Sequence, residues 1–155
     1  MNKSTQRLHL EDLTLDEPID CGSFRVTERE IVDFAALYDP QPFHLSLEAA
    51  KESIFGGLVA SSTQSLAISC GLVVRALANV AIMGGAAWED IKLFRPVWPD
   101  RDYAVRVRWT KTRPSASKPD RGIANLAIEV LEGDAPEGHT VVMSYGVAYF
   151  VRRRT

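Results

Sequence analysis

Ser61-Ser62-Thr63-Gln64-Ser65-Leu66-Ala67-Ile68-Ser69-Cys70-Gly71-Leu72-Val73-Val74-Arg75-Ala76-Leu77-Ala78-Asn79-Val80 is the stretch that decides how the rest of the chain is arranged. Ser61 or Ser62 is the expected N-cap, since a hydroxyl there accepts from the orphan N–H groups of a first turn. A helix is predicted from that cap to about Val80, with Leu66, Ile68, Cys70, Leu72, Val73, Val74, Leu77 and Val80 spread over nearly every side. A helix apolar all round has to be wrapped by other elements. The overlapping run from Ser65 to Met83 is the one candidate membrane span, but Arg75 and Asn79 interrupt its middle, where an arginine is expensive. It is therefore read as a buried core helix, with Arg75 structural or at a dimer contact.

The residues that follow supply the wrapping. Strands are predicted at Trp88–Phe94, Tyr103–Thr112, Ile123–Leu131 and Thr140–Val151. Alternation is clearest in Tyr103, Val105, Val107 and Trp109, and in Leu126, Ile128 and Val130. The last run is long enough for a central strand, with a bulge expected at Gly146. Arg113–Gly122, with Pro114 and Pro119, and Glu132–His139 read as polar hairpin connections.

Upstream, Cys21–Val26 alternates as a strand, and Thr27 with Glu30 forms a capping box for a helix facing inward through Ile31, Phe34, Ala35 and Tyr38. That helix must stop at Asp39, because Pro40 pushes its predecessor out of helical geometry. Ser46 caps a short helix through Glu52. Residues 1–18 form a polar arm whose Leu10, Leu13 and Leu15 can lie along the body, and residues 19–155 form one domain. The fold class is α+β: one long helix wrapped by a curved antiparallel sheet. Such a sheet leaves edges to cover, so a homodimer or higher homo-oligomer is expected.

The chain has 155 residues, the length of a single domain with a sizeable core. A net charge of -2 provides no long-range pull towards nucleic acid or anionic membrane, and the Arg152-Arg153-Arg154 run is too short to argue for nucleic acid. Cys21 and Cys70, the only cysteines, are expected to be unpaired thiols in a reducing compartment. Met1–Arg7 has no apolar stretch resembling a secretory signal, so the cytoplasm is the expected location.

Chemistry concentrates just before the long helix. Asp39-Pro40-Gln41-Pro42-Phe43-His44 sets a carboxylate and an imidazole five positions apart, in a segment whose two prolines are read as forbidding regular helix or strand. Phe55-Gly56-Gly57-Leu58-Val59-Ala60-Ser61-Ser62 follows and leads into the helix start. An acid, a base and a helix N-terminus are the parts of a proton-transfer site acting on a carbonyl that gains negative charge. His9 and His139 lie in polar surroundings and are read as solvated.

Phe34-Ala35-Ala36-Leu37-Tyr38-Asp39-Pro40-Gln41-Pro42-Phe43-His44 together with Phe55–Ser62 resembles the signature of the MaoC-like dehydratases, or R-specific enoyl-CoA hydratases. In that family an FA…D-x-N-P-x-H loop precedes F-G-G-x-I-A-[HS]-G at the central helix. Arg95–Asp100 and Arg113–Gly122 add to the likeness, which runs from about Leu10 to Arg153. The resemblance implies a hot-dog fold, a homodimer, and reversible syn addition of water to a trans-2-enoyl thioester of coenzyme A, giving an (R)-3-hydroxyacyl thioester. It implies Asp39 and His44 as the pair holding the reacting water, with the Ser62 backbone N–H as oxyanion donor. Gly57, Gln41, Phe43 and Ser61 are the expected neighbours of substrate and oxyanion, and Arg113, Lys118 and Arg121 candidate contacts for coenzyme A phosphates. No metal or cofactor is implied; coenzyme A enters as part of the substrate. Three positions depart from the pattern: Gln41 replaces Asn, Phe43 is bulkier than the usual aliphatic residue, and Ser62 replaces Gly.

Two alternatives fit the same residues. One is a thioesterase on this fold, with Asp39 directing water at the carbonyl carbon. The other is a non-catalytic acyl-thioester-binding subunit, in which Ser62 closes the oxyanion pocket. A serine-hydrolase elbow, G-x-S-x-G, is absent from the sequence.

Overall fold

The structure is a computed structural model and describes residues 7–133 and 140–154. A 3-10 turn at Leu10–Asp12 precedes β1 (Ile19–Phe24), α1 (Glu28–Tyr38), α2 (Pro42–Leu45), α3 (Leu47–Glu52) and α4 (Ser62–Ala76). Then come β2 (Ile82–Leu93), β3 (Tyr103–Pro114), β4 (Arg121–Glu132) and β5 (Thr140–Arg152). Among the described residues the strands form one antiparallel sheet in the order β1-β3-β4-β5-β2. His139 and most of the predicted Glu132–His139 connection lie outside the described residues.

The period-two pattern of β3 and β4 becomes the core. Tyr103, Val105, Val107 and Trp109 are buried from β3, and Ala124, Leu126, Ile128 and Val130 from β4. Each large side chain so buried contributes about 1.5–3 kcal/mol. Against this face α4 lays Ser65, Ser69, Val73 and Leu77, a row spaced by four residues.

The other side of α4 is open, which corrects the expectation of a helix buried all round. Val74 is 54% exposed, and Trp88 of β2 is 48% exposed although it stacks on Tyr145, whose hydroxyl reaches Ser69 of α4. Ile91, Leu93 and Phe94 are exposed beyond it, along or just after β2, which has no neighbour on its outer side among the described residues.

Several boundaries also differ from the sequence expectations. The long helix ends at Ala76 rather than Val80, and the next strand begins at Ile82 rather than Trp88. Backbone partners distant in sequence make the difference. Leu8 N–H donates to Asn79, Ala81 N–H to Leu8, and Arg152 N–H to Ala81, holding the chain extended where composition alone reads as helix. β1 starts two residues early and bulges between Asp20 and Ser23, where Gly22 has φ +90°. The bulge expected at Gly146 lies opposite it in β2, between Glu89 and Lys92, where Asp90 has φ 49°.

The capping box of α1 is present: Glu30 N–H donates to Thr27 Oγ1 at 3.2 Å and Thr27 N–H to Glu30 Oε2 at 2.7 Å. Ile31 and Ala35 are buried, but Tyr38, assigned to the same inner face, is exposed against Phe34 at the helix end. Ser46 caps α3 as expected. Cys21 and Cys70 are unpaired, and burial, helped by Asp20, pushes the Cys21 thiol up to about 11.

Candidate active site

Asp39 closes α1: its N–H donates to Ala35 and its own φ, ψ of -155°, 69° leave the helix. Pro40 enforces the exit. Pro42 then acts differently from the expectation that it blocks helix. It takes the first position of the one-turn helix α2, where a missing N–H and a fixed φ suit the geometry. That turn carries His44 inward, to 5% exposure.

The imidazole is held in one tautomer. His44 Nδ1 lies 2.7 Å from the Val59 carbonyl, which can only accept, so Nδ1 carries the proton. Nε2 is thereby directed at Asp39 Oδ2, 3.5 Å away. Phe43 meets the His44 ring edge-on with centroids 4.6 Å apart and rests on Phe55, bracing the imidazole from one side.

Asp39 is held in turn by the start of α4. Ser61, the N-cap of that helix and completely buried, donates its hydroxyl to Asp39 Oδ2 at 2.6 Å. Gln41 donates its amide to Oδ1 at 3.0 Å. The bond from Ser61, then that from Gln41, and the nearby His44 keep the Asp39 carboxyl below the usual carboxylate range. Ser61 Oγ also receives the Thr63 N–H at 3.3 Å, so its proton and a lone pair are both committed. Ser62 sits exposed at the first position of α4, where a backbone N–H has no intrahelical acceptor.

Gly57 packs closely against Trp98. A Cβ on Gly57 would stand 3.0 Å from the Trp98 ring, so a larger residue there would ask the indole to shift. Ala60 N–H donates to Val97, and Trp98 N–H to the Tyr103 hydroxyl, tying the Gly-Gly connection to the start of β3.

A family model described as MaoC like domain matches residues 12–130. The chain belongs to the MaoC-like domain family. A crystal structure of a MaoC-like dehydratase from Rhodospirillum rubrum is similar to it with a TM-score of 0.84 and 35% identity, covering 96% of this chain and 99% of that one. Uncharacterized protein YdeM of Bacillus subtilis (strain 168) is 28% identical over 112 residues, 72% of this chain and 79% of that protein. The (R)-hydratase from A. caviae involved in PHA biosynthesis shares the fold, with a TM-score of 0.68 at 20% identity over 90% of this chain and 97% of its own. The fold is the hot-dog.

Within this MaoC-like chain the predicted site residues divide into two groups. Asp39, Gln41, Phe43, His44 and Ser61 converge, with Gly57 and Ser62 on the segments that frame them. Arg113, Lys118 and Arg121 do not join them. They lie around the β3–β4 hairpin, at the far end of β3 from Tyr103, roughly 33 Å along an extended strand. Arg121 is already paired through Nε and Nη2 with Asp120.

Three contributors had not been singled out in the sequence: the Val59 carbonyl, Thr63 and Gln64. Gln64 donates from Nε2 to the Glu30 carbonyl at 3.1 Å, locking α4 to α1 and so setting the distance from Ser61 to Asp39. Their one signal is the run of polar residues from Ser61 to Ser65 in a helix otherwise rich in apolar ones. Among the described residues no three metal-ligating side chains converge, and no helix is long and apolar enough to cross a membrane.

Proposed function

We propose that this protein is an acyl-thioester hydratase/dehydratase that adds water reversibly, and syn, to a trans-2-enoyl-CoA to give an (R)-3-hydroxyacyl-CoA. The observation that carries the reading is the 3.5 Å gap between Asp39 Oδ2 and His44 Nε2, with Nδ1 tied to Val59. In that tautomer Nε2 offers a lone pair. A water held between the two groups gives one proton to Nε2 as its oxygen bonds to C3, while the C2–C3 π electrons move towards the thioester carbonyl. Asp39, kept charged by its hydrogen bonds, accepts the other proton of the water as a hydrogen bond and steadies the imidazolium. The C2 carbon then takes the proton back from the same face, and the enolate oxygen collapses to the carbonyl.

While charged, that oxygen needs a donor. The backbone N–H of Ser62, at the first position of α4, is suited to the task, and the Ser61 hydroxyl, committed to Asp39, is not. The chemistry asks for no redox or metal group; coenzyme A enters with the substrate. We place the working protein in the cytoplasm as a homodimer, with the exposed edge of β2 and the open side of α4 as the shared surface.

Product analysis with crotonyl-CoA tests the reading. Loss of the enoyl absorbance without thiol release is expected. Free thiol, with no hydroxyacyl product, would mean a thioesterase instead.

A further inference from the structure

The two oxygens of Asp39 are held by different partners. Oδ1 accepts from the Gln41 amide at 3.0 Å; Oδ2 accepts from the Ser61 hydroxyl at 2.6 Å and faces His44 Nε2 at 3.5 Å. The Gln41 group facing Oδ1 must be its NH2, because a carboxylate only accepts. Ser61 has a single hydroxyl proton, and Asp39 takes it. The contact of 2.7 Å between Ser61 Oγ and Thr63 Oγ1 then has only one polarity: Thr63 donates. The chain of hydroxyls runs one way, from Thr63 to Ser61 to Asp39. Ser61 is completely buried, so solvent does not stand in for Thr63 as that donor.

Such bracing has a purpose at this position. Asp39 sits just past the end of α1 with an extended φ, and the torsion that turns a carboxylate is broad and two-fold. We propose that Gln41 and Thr63 are positioning residues, which together fix the Asp39 carboxylate so that one oxygen faces His44 across the reacting water. Gln41 thus acts on the carboxylate, which its amide reaches at 3.0 Å. The role in turnover rests on the hydratase reading above; the geometry of the bracket does not.

The test uses the intact full-length protein and four variants: Gln41→Leu, Thr63→Val, Thr63→Ser and Gln41→Glu. Two quantities are measured, the titration midpoint of the Asp39 carboxyl by carbon-13 NMR, and kcat and KM with crotonyl-CoA. Gln41→Leu and Thr63→Val are expected to raise the midpoint and lower kcat by about tenfold, with KM within about twofold of wild type. Thr63→Ser keeps the hydroxyl and should restore both values. Gln41→Glu puts a second negative charge beside Asp39 and should raise the midpoint furthest. An unmoved midpoint in Gln41→Leu and Thr63→Val, or a Thr63→Ser as impaired as Thr63→Val, overturns the proposal. A wild type inert towards enoyl thioesters overturns the hydratase reading alone, and the midpoints still decide the bracket.

Discussion

At its N-terminal end α4 meets the rest of the molecule through hydrogen bonds: Ser61 to Asp39, Thr63 to Ser61, Gln64 to Glu30. At its C-terminal end it meets apolar side chains and an arm fastened by charge. Leu8, Leu13, Ile19, Leu77 and Trp109 surround a cavity of about 280 Å³ there, and Glu11 and Asp12 of the arm pair with Arg153 and Arg154. Both ends order a helix terminus, yet they spend polarity differently. The first end turns the Ser61 hydroxyl, backed by Thr63, towards the Asp39 carboxylate, with Ser62 at the first helical position beside it. The second pairs its charges with the other terminus, Asp12 and Glu17 standing at the rim of the same cavity. The proposed hydration uses the end whose polar groups converge; the other end holds the helix in place.

Changes at the two ends should therefore separate activity from stability. The largest effect is expected for Asp39→Asn and His44→Ala, which should cut enoyl-CoA hydration by roughly 10² to 10⁴-fold. Circular dichroism melting should show the fold retained in Asp39→Asn; a variant that hydrates at the wild-type rate would break the comparison. Next comes Ser62→Pro. Proline is tolerated at the first helical position and Ser61, at φ -58°, ψ 140°, already suits a residue before proline. The substitution deletes one N–H and should lower kcat by about 10²-fold, whereas Ser62→Gly keeps the N–H and the rate.

At the far end, Gly122→Ala should leave kcat unchanged and lower stability by about 1–3 kcal/mol in denaturant titration. A Cβ there would press on Leu10 of the arm and stand 2.5 Å from the Arg113 carbonyl. The smallest effect concerns pH. The Arg153 hydrogen bond, with the Arg154 N–H, holds Glu11 down at about 2 from an ordinary 4.5. A carboxylate with a depressed folded value stabilises fully above about pH 4.5, and that contribution is lost as pH falls towards 2. Glu11→Gln should therefore lower stability slightly at pH 7, Glu11 being exposed, and the difference from wild type should shrink in denaturant titrations as pH falls from about 4.5 towards 2.

The contrast between the two ends was only half legible in the sequence. Asp39, His44 and the helix start could be read because their signals are local: Pro40 ends a helix, Thr27 and Glu30 cap it, and β3 and β4 alternate cleanly. The C-terminal end of α4 could not, because Val80–Met83 is as apolar as the helix before it. What makes it extended is Leu8 and Arg152, groups far away in sequence. Likewise Arg152-Arg153-Arg154 read only as a basic run too short for nucleic acid, since its acidic partners lie at the other terminus. Pro42 was legible as a breaker but not as the first residue of a helical turn, a difference set by how the chain leaves Asp39. The commitment of the Ser61 hydroxyl depends on a carboxylate across space, which no spacing along the chain encodes.

The most direct test of the central claim, that Asp39 and His44 act on one water from one side of the substrate, is stereochemical. Hydration of a trans-2-enoyl-CoA in D2O should give a 3-hydroxyacyl product whose new C3–O and C2–D bonds lie on the same face, as read from proton NMR couplings. Anti addition, or a mixture of faces at C2, would contradict it.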